Sequence, residues 1–179
     1  MKHRDFSKKL SPEERRSFVI RAAKPEDLLA LTVIYNQAIT AGQTADTIPL
    51  TTEDRIPWFN SHQQERYPLL VLSTANRTVG YGTLSKYRGG RPSLRKVVEI
   101  SYYLHQDFQN KGIGSLLLPY LLMEARKLDF KHAFALLLDN NLPSIGLLEK
   151  FGFERWGHFP NVAELNGVVC GQYYYGRTL

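Results

Sequence analysis

The sequence predicts a single α/β (α+β) domain in which a mixed sheet is flanked by helices. Short apolar or β-branched runs typical of strands alternate with segments whose apolar residues recur at helical spacing. The chain of 179 residues suits one domain with a substantial core, and no repeat, low-complexity segment or linker interrupts it. Within 97–126, a strand rich in β-branched and aromatic residues passes through a glycine-containing turn into a helix.

The elements expected before this segment follow from local signals. The Ser-Pro-Glu-Glu sequence at 11–14 is typical of a helix start, and Gly42 should end the helix that opens at 25–27. Pro57 should kink or delay the next helix, which follows a capping sequence at 51–54. We expect strands at 18–21, 69–73 and 79–86, a turn at Asn76-Arg77, and a basic loop at 88–92.

The elements expected after the central strand are equally local. A helix should run from 116 to 128 and bend at Pro119, and the apolar run 133–138 suits a buried strand. The next helix should begin at 141–144 and stop at Gly152. Two closing strands, 153–159 and 168–175, should be joined by a hairpin turn at Asn166-Gly167.

Composition argues against several protein classes. The formal net charge is +6, but residues 1–16 hold six Lys or Arg against three acids, which is half of the excess. We interpret residues 1–16 as a basic extension of a domain that spans 17–179. The extension lacks the interleaved aromatic side chains of a base-stacking surface, which argues against a nucleic-acid partner. The single Cys170, the lack of zinc-type spacing and the lack of a long apolar run predict a cytoplasmic protein without disulfide, metal or membrane span.

The turn at 109–115, Gln-Asn-Lys-Gly-Ile-Gly-Ser, has the properties of a phosphate site. A turn that opens a helix leaves backbone N–H groups unpaired at the positive end of the helix dipole. Gly112 and Gly114 would let an anion approach the backbone, and Lys111 would add a charge. Taken alone, two glycines before a helix are more often only a tight connection.

A second motif strengthens the phosphate interpretation. Residues 139–153, Asp-Asn-Asn-Leu-Pro-Ser-Ile-Gly-Leu-Leu-Glu-Lys-Phe-Gly-Phe, together with the turn resemble the acyl-CoA-binding halves of the GCN5-related N-acetyltransferase (GNAT) superfamily. From about Ile20 onward the chain resembles the phosphinothricin-type N-acetyltransferases, notably at 34–39, 49–55, 79–82 and 98–101. The resemblance implies a GNAT-like fold with a mostly antiparallel sheet, acetyl-CoA as co-substrate, no metal, and a homodimer.

The resemblance also implies which residues hold acetyl-CoA. The turn would cradle the pyrophosphate, backbone groups at the end of the strand would meet the pantetheine arm, and the start of the second motif's helix would hydrogen-bond that arm. These residues are Leu104, Gln109, Asn110, Lys111, Gly112, Ile113, Gly114, Ser115, Asn141 and Ser144.

Glu99 is the candidate general base. Strand alternation places it on the same face as Ser101 and Tyr103 and separates it from Val98 and Ile100. A partly buried carboxylate has a raised pKa, which suits a base that works near neutral pH. The alternative is that Glu99 pairs with a nearby arginine for purely structural reasons.

The general acid departs from the family pattern. Relatives carry Tyr or His at the position matched by Leu148, and leucine cannot donate a proton. Either another group such as Tyr102, Tyr103 or water protonates the thiolate, or the thiolate leaves unprotonated.

Substrate specificity should come from the first helical region and the basic loop. Arg88 and Arg91 would present guanidinium groups to an anionic part of the acceptor, and Tyr35, Trp58 and Tyr87 would wall the cavity. The alternative is a solvated loop beside core aromatics. The favoured function is acetyl transfer to a small amino-acid-like amine resembling phosphinothricin or a methionine derivative; the alternatives are a protein or peptide amine acetyltransferase and a non-catalytic acyl-CoA-binding module.

Overall fold

The computed structural model describes residues 10–62, 65–75 and 77–179. Ser11 and Thr51 each begin a helix through a capping box, in which the side-chain hydroxyl accepts a hydrogen bond from a backbone N–H of the first turn. The helices are α1 (Pro12–Arg16), α2 (Leu28–Thr40), α3 (Thr52–Ser61), α4 (Gly114–Lys127) and α5 (Leu142–Lys150), and the strands are β1 (Val19–Ala22), β2 (Leu69–Thr74), β3 (Arg77–Lys86), β4 (Val97–Leu104), β5 (His132–Leu138), β6 (Glu154–Leu165) and β7 (Val168–Thr178).

The strands form one mixed sheet in the order β1-β2-β3-β4-β5-β7-β6. Every neighbouring pair is antiparallel except β4 and β5, which are parallel. The β4–β5 ladder covers only Val97–Glu99 opposite His132–Phe134. Beyond it, β4 stays paired with β3 as far as Leu104 and β5 stays paired with β7 as far as Leu138. The two central strands therefore separate after Glu99 and leave a groove inside the sheet.

The two faces of the sheet carry separate hydrophobic clusters. The larger cluster packs α4 and the buried side of α5 against alternate residues of β4, among them Val98 and Ile100. The smaller one packs α2 and α3 against Val71 and Tyr81, with Tyr103 beside them. Because alternate residues of a strand point to opposite faces, Glu99 shares a face with Tyr103, and this is the face that α2 and α3 cover.

The secondary structure confirms the predicted fold class and most of the predicted elements. Gly42 and Gly152 adopt positive φ after α2 and α5, and Asn166 and Gly167 form the hairpin turn with φ of 52° and 78°. The expected delay at Pro57 is wrong, because the capping box at Thr51 already starts α3 at Thr52.

Other boundaries also differ from the sequence interpretation. The closing strands are longer than predicted, since bulges let β6 continue past Phe159 to Leu165. Arg77 is the first residue of β3 rather than part of a turn, and its predicted turn partner Asn76 lies outside the described residues, as do residues 1–9 of the extension. Pro119 lies inside α4, which continues to Lys127. Among the helices that are described, none is long and apolar enough to cross a membrane.

Candidate active site

A cavity of about 300 Å³ lies where β4 and β5 have separated. The end of β4, the turn before α4 and the first turns of α5 line it, so both helices begin beside it. All of the residues that the resemblance assigns to acetyl-CoA line this cavity except Lys111, whose ammonium lies 5.4 Å from the ring centroid of Phe108. The structure thus brings together residues from two motifs that are distant in sequence.

The two glycines of the turn serve different purposes. Gly112 has a φ of +80°, a left-handed conformation that a residue with a side chain rarely adopts, and Asn110 precedes it with a φ of +58°. Gly114 is the first residue of α4, and a Cβ there would lie 2.6 Å from Cδ2 of Leu147. Gly112 therefore shapes the turn, whereas Gly114 allows α4 and α5 to pack closely at the cavity.

The start of α5 supplies a polar wall. The side-chain oxygen of Asn141 accepts a hydrogen bond of 3.3 Å from the backbone N–H of Ser144, which caps the helix. The hydroxyl groups of Tyr102 and Ser144 are 2.7 Å apart, and burial raises the pKa of Tyr102 to about 12. The Tyr102 hydroxyl is therefore protonated at neutral pH.

Lys150 is a cavity residue that the sequence analysis missed. Its ammonium donates a 3.0 Å hydrogen bond to the Ser115 hydroxyl, across the mouth of the cavity from α5 to α4. Helical spacing provides a signal that could have found it, because Ser144, Leu147 and Lys150 recur every three residues on one face of α5.

Glu99 occupies the last residue pair before the strands separate. It lies opposite Ser85 of β3 and is half-buried. Burial raises the pKa of Glu99, and no charged group in the described parts of the chain contributes to the shift. The environment is therefore that of a desolvated carboxylate rather than of one side of a structural ion pair.

A second cavity, of about 810 Å³, opens beside Glu99. Its walls come from the two residues after β3 and from the strands β4 to β7, and they include Tyr87, Arg88, Phe134, Trp156, Phe159 and Tyr174. Arg88 has a φ of +43°, which is unusual for a residue with a side chain and costs conformational energy. Tyr87 and Arg88, which the sequence analysis assigned to the acceptor cavity, thus line one cavity with Glu99, whereas the sequence analysis did not anticipate the aromatic walls that β5, β6 and β7 contribute.

The structure does not bring the other predicted substrate residues to this cavity. Tyr35 and Trp58 enclose the guanidinium of Arg55, which lies 4.3 Å and 3.8 Å from their ring centroids. Arg55 is buried, donates to the Tyr81 hydroxyl at 3.3 Å, and within the described parts of the chain its Nε has no hydrogen-bond acceptor. Arg91 precedes the short 3₁₀ turn Pro92–Leu94, is exposed, and lies outside both cavities.

Leu148 is fully buried in the larger hydrophobic cluster. The position therefore contributes to packing under α5 and offers no proton donor to either cavity. Across the described ranges, no group of three or more His, Cys, Asp or Glu side chains is arranged to hold a metal ion.

Comparison with known proteins gives this geometry a family. The chain matches the acetyltransferase (GNAT) family over residues 31–153. YwnH of Bacillus subtilis (strain 168) is 40% identical over 161 residues, which are 89% of this chain and 98% of YwnH. An L-methionine sulfoximine/L-methionine sulfone acetyltransferase of Pseudomonas paraeruginosa (strain PA7) is 34% identical over 152 residues, 83% of this chain and 87% of that protein.

A solved structure shows the same fold with the co-substrate in place. The crystal structure of a phosphinothricin acetyltransferase from Sinorhizobium meliloti in complex with AcCoA superimposes with a TM-score of 0.85 at 27% identity, over 91% of this chain and 89% of that chain. The left-handed Gly112, the groove between the central strands and the two helix starts fit such a ligand. On the fold, the cavity and these matches, the chain belongs to the acetyltransferase (GNAT) family.

Proposed function

We propose that this protein transfers the acetyl group of acetyl-CoA to the primary amine of a small amino-acid-like molecule. The observation that carries the proposal is the position of Glu99, at the point where β4 and β5 separate and beside the second cavity. The first cavity offers the turn and the helix starts that suit acetyl-CoA. A thioester that follows the groove inward would thus meet an amine held in the second cavity, close to Glu99.

The first cavity would bind acetyl-CoA through backbone groups and two cations. The N–H groups of the turn from Gln109 to Ser115 would donate to the pyrophosphate, with Lys111 and Lys150 adding positive charge. Leu104 and its neighbours on the open edge of β4 would hydrogen-bond the pantetheine arm, as would the side chain of Asn141. Such fixed donors hold the thioester in place and polarise its carbonyl.

Glu99 would remove the proton that prevents the acceptor from reacting. An ammonium group has no lone pair, so one proton must pass to the Glu99 carboxylate, directly or through water, before the nitrogen attacks the thioester carbon. The C–N bond then forms, the C–S bond breaks with its electron pair leaving on sulfur, and the nitrogen gives up its second proton to solvent to become the amide. The raised pKa of Glu99 makes it a stronger base than an exposed carboxylate.

Tyr102 would stabilise the departing thiolate without giving up its proton. Its pKa of about 12 lies well above that of a thiol, roughly 8.5, so proton transfer to sulfur would be uphill. A hydrogen bond from the hydroxyl still lowers the energy of the developing negative charge. The chain thus needs no acid at Leu148, because solvent can protonate the thiolate afterwards.

Arg88 would select the acceptor. Arg88 lines the same cavity as Glu99, and a carboxylate or phosphinate forms two parallel hydrogen bonds with a guanidinium group. Tyr87 and the aromatic walls would enclose the rest of a small acceptor. Arg88 is therefore a better candidate for the anion clamp than Arg91, which lies outside both cavities.

The test is a thiol-release assay with acetyl-CoA and a matched panel of acceptors. The panel holds free amino acids, phosphinothricin and methionine sulfoximine, the corresponding amides, and short peptides. Turnover that favours the free amino acids or their analogues supports the proposal. A preference for peptides identifies a peptide amine acetyltransferase, and acetyl-CoA binding without turnover identifies a non-catalytic acyl-CoA-binding module.

We also propose that the protein is a cytoplasmic homodimer. Large apolar side chains are exposed on β6 and β7, at Trp156, Phe159, Val162, Val168 and Val169, and an exposed apolar surface of this kind is typical of a protein interface. Sedimentation velocity measures the mass directly. A concentration-independent monomer would remove the dimer from the proposal and leave the catalytic part intact.

A further inference from the structure

Residues 10–18, the described residues before β1, lie against the turn at 109–115. The backbone N–H of Leu10 donates to the carbonyl of Lys111 at 3.5 Å, and the side chain of Leu10 packs against the larger hydrophobic cluster. After α1, Phe18 packs against the same cluster and meets Phe108 edge to face, with ring centroids 6.3 Å apart. The short helix α1 is thus fixed at both ends beside the turn.

Arg15 reaches from α1 to the glycine of the turn. A Cβ placed on Gly112 would lie 3.2 Å from NH2 of Arg15, so the guanidinium contacts the open side of this glycine. Arg15 is partly buried, whereas its neighbours Glu14 and Arg16 are exposed. One carboxylate oxygen of Glu14 accepts a hydrogen bond from the backbone N–H of Ser11 in the capping box, which uses that acid for the helix start.

We propose that Arg15 is a phosphate ligand for acetyl-CoA, supplied by the N-terminal extension. The inference rests on the proposed function, because it needs acetyl-CoA at this turn. A guanidinium beside a left-handed glycine, at a turn whose Ser115 hydroxyl accepts a hydrogen bond from the Lys150 ammonium, provides positive charge that suits a phosphate. Residues 10–16, the described part of the extension, then contribute to the binding site.

The experiment compares Arg15→Ala with Arg16→Ala, which removes the same charge from an exposed position on the same helix. Calorimetry should show that Arg15→Ala raises the Kd of acetyl-CoA about five- to tenfold, whereas Arg16→Ala changes it less than twofold. The kcat at saturating acetyl-CoA and the KM of the amine should stay unchanged, because the thioester lies far along the groove. Added salt should narrow the difference between wild type and Arg15→Ala.

A second ligand identifies the phosphate that Arg15 binds. If the loss of affinity disappears with acetyl-dephospho-CoA, which lacks the 3′-phosphate, Arg15 binds that group; if the loss persists, it binds the pyrophosphate. An affinity of Arg15→Ala equal to that of wild type or of Arg16→Ala overturns the inference. The proposed function fails separately, through a wild-type protein that does not bind acetyl-CoA at all.

Discussion

The two cavities beside the separated strands differ in how the chain builds them. The residues of the first come almost entirely from two short stretches, 102–115 and 141–150, with a contribution from the end of α2. The second draws on the two residues after β3 and on β4, β5, β6 and β7, with at most a few residues from each. A short motif is enough to bind a ligand that a whole family shares. A cavity lined by many strands can instead alter its specificity through a substitution in a single strand.

The two cavities also differ in the kind of group that would bind a ligand. In the first, by our proposal, backbone groups of a turn that depends on the left-handed Gly112 would bind the ligand, so their contribution does not depend on which side chains are present. In the second, side chains provide the charge and the aromatic walls. We therefore expect changes in the first cavity to act on acetyl-CoA affinity and changes in the second to act on turnover and acceptor choice.

The largest effect should come from Gly112→Asp. The new side chain strains a residue with a φ of +80° and places a carboxylate beside Arg15, where it forms an ion pair that occupies the phosphate site. We expect acetyl-CoA affinity measured by calorimetry to fall at least about a hundredfold. Gly112→Ala, which adds strain without charge, is the matched control and should lose only about tenfold. Unchanged binding by both variants would contradict the assignment of the first cavity.

Glu99→Gln, a substitution in the second cavity, should have the next largest effect, and it should act on turnover. The substitution keeps the shape of the side chain but removes its ability to accept a proton, so kcat should fall by about a hundredfold with acetyl-CoA affinity unchanged. Steady-state kinetics with the best acceptor of the panel measures both. Retained turnover would return Glu99 to a structural role.

The pH dependence sharpens this result. Burial raises the pKa of Glu99, so the carboxylate becomes protonated, and loses its function as a base, as the pH falls through a value above the usual carboxyl range. The ratio of wild-type to Glu99→Gln turnover should therefore rise with pH and then level off. The ionisation of the acceptor amine affects both proteins and cancels in the ratio.

The sequence predicted the residues of the first cavity better than those of the second. The sequence indicated the turn and the start of α5 because each is a continuous motif. It missed Lys150, which reaches the cavity by helical spacing, and Ala38 and Gln43, which only the packing at the end of α2 brings there. It assigned Tyr35 and Trp58 to the substrate cavity, but the structure places them around Arg55. Trp156 and Tyr174 escaped notice because only the pairing of β5 with β7 and of β7 with β6 brings them beside Glu99.

Arg88→Ala should reduce discrimination between acceptors. If the guanidinium binds an anionic group, the preference for a free amino acid over its amide should shrink by about 2 kcal/mol, roughly thirtyfold in kcat/KM. Arg88→Lys should retain part of the preference, since a point charge still attracts the anion. Arg91→Ala serves as the control and should leave the preference intact. Equal loss in both alanine variants would point to a general effect of loop charge.

The smallest effect should follow from Tyr102→Phe. Loss of one hydrogen bond to the departing thiolate is worth about 1 kcal/mol, so kcat should fall about fivefold. Tyr120→Phe, a tyrosine of α4 that lines neither cavity, controls for the general loss of a hydroxyl group. A hundredfold loss in Tyr102→Phe would instead show that the hydroxyl transfers its proton.

The short β4–β5 ladder has a consequence for the unliganded protein. Residues 100–104 and 135–138 present backbone amide and carbonyl groups along an edge that lies inside the sheet instead of at its rim. An outer edge invites pairing with foreign strands, whereas this one is enclosed by the starts of α4 and α5. The pantetheine arm carries two amide groups of its own, so it can hydrogen-bond to this edge as an additional strand would. Binding of acetyl-CoA would then close the sheet, and the exchange of these amide hydrogens with solvent would slow when the groove is filled.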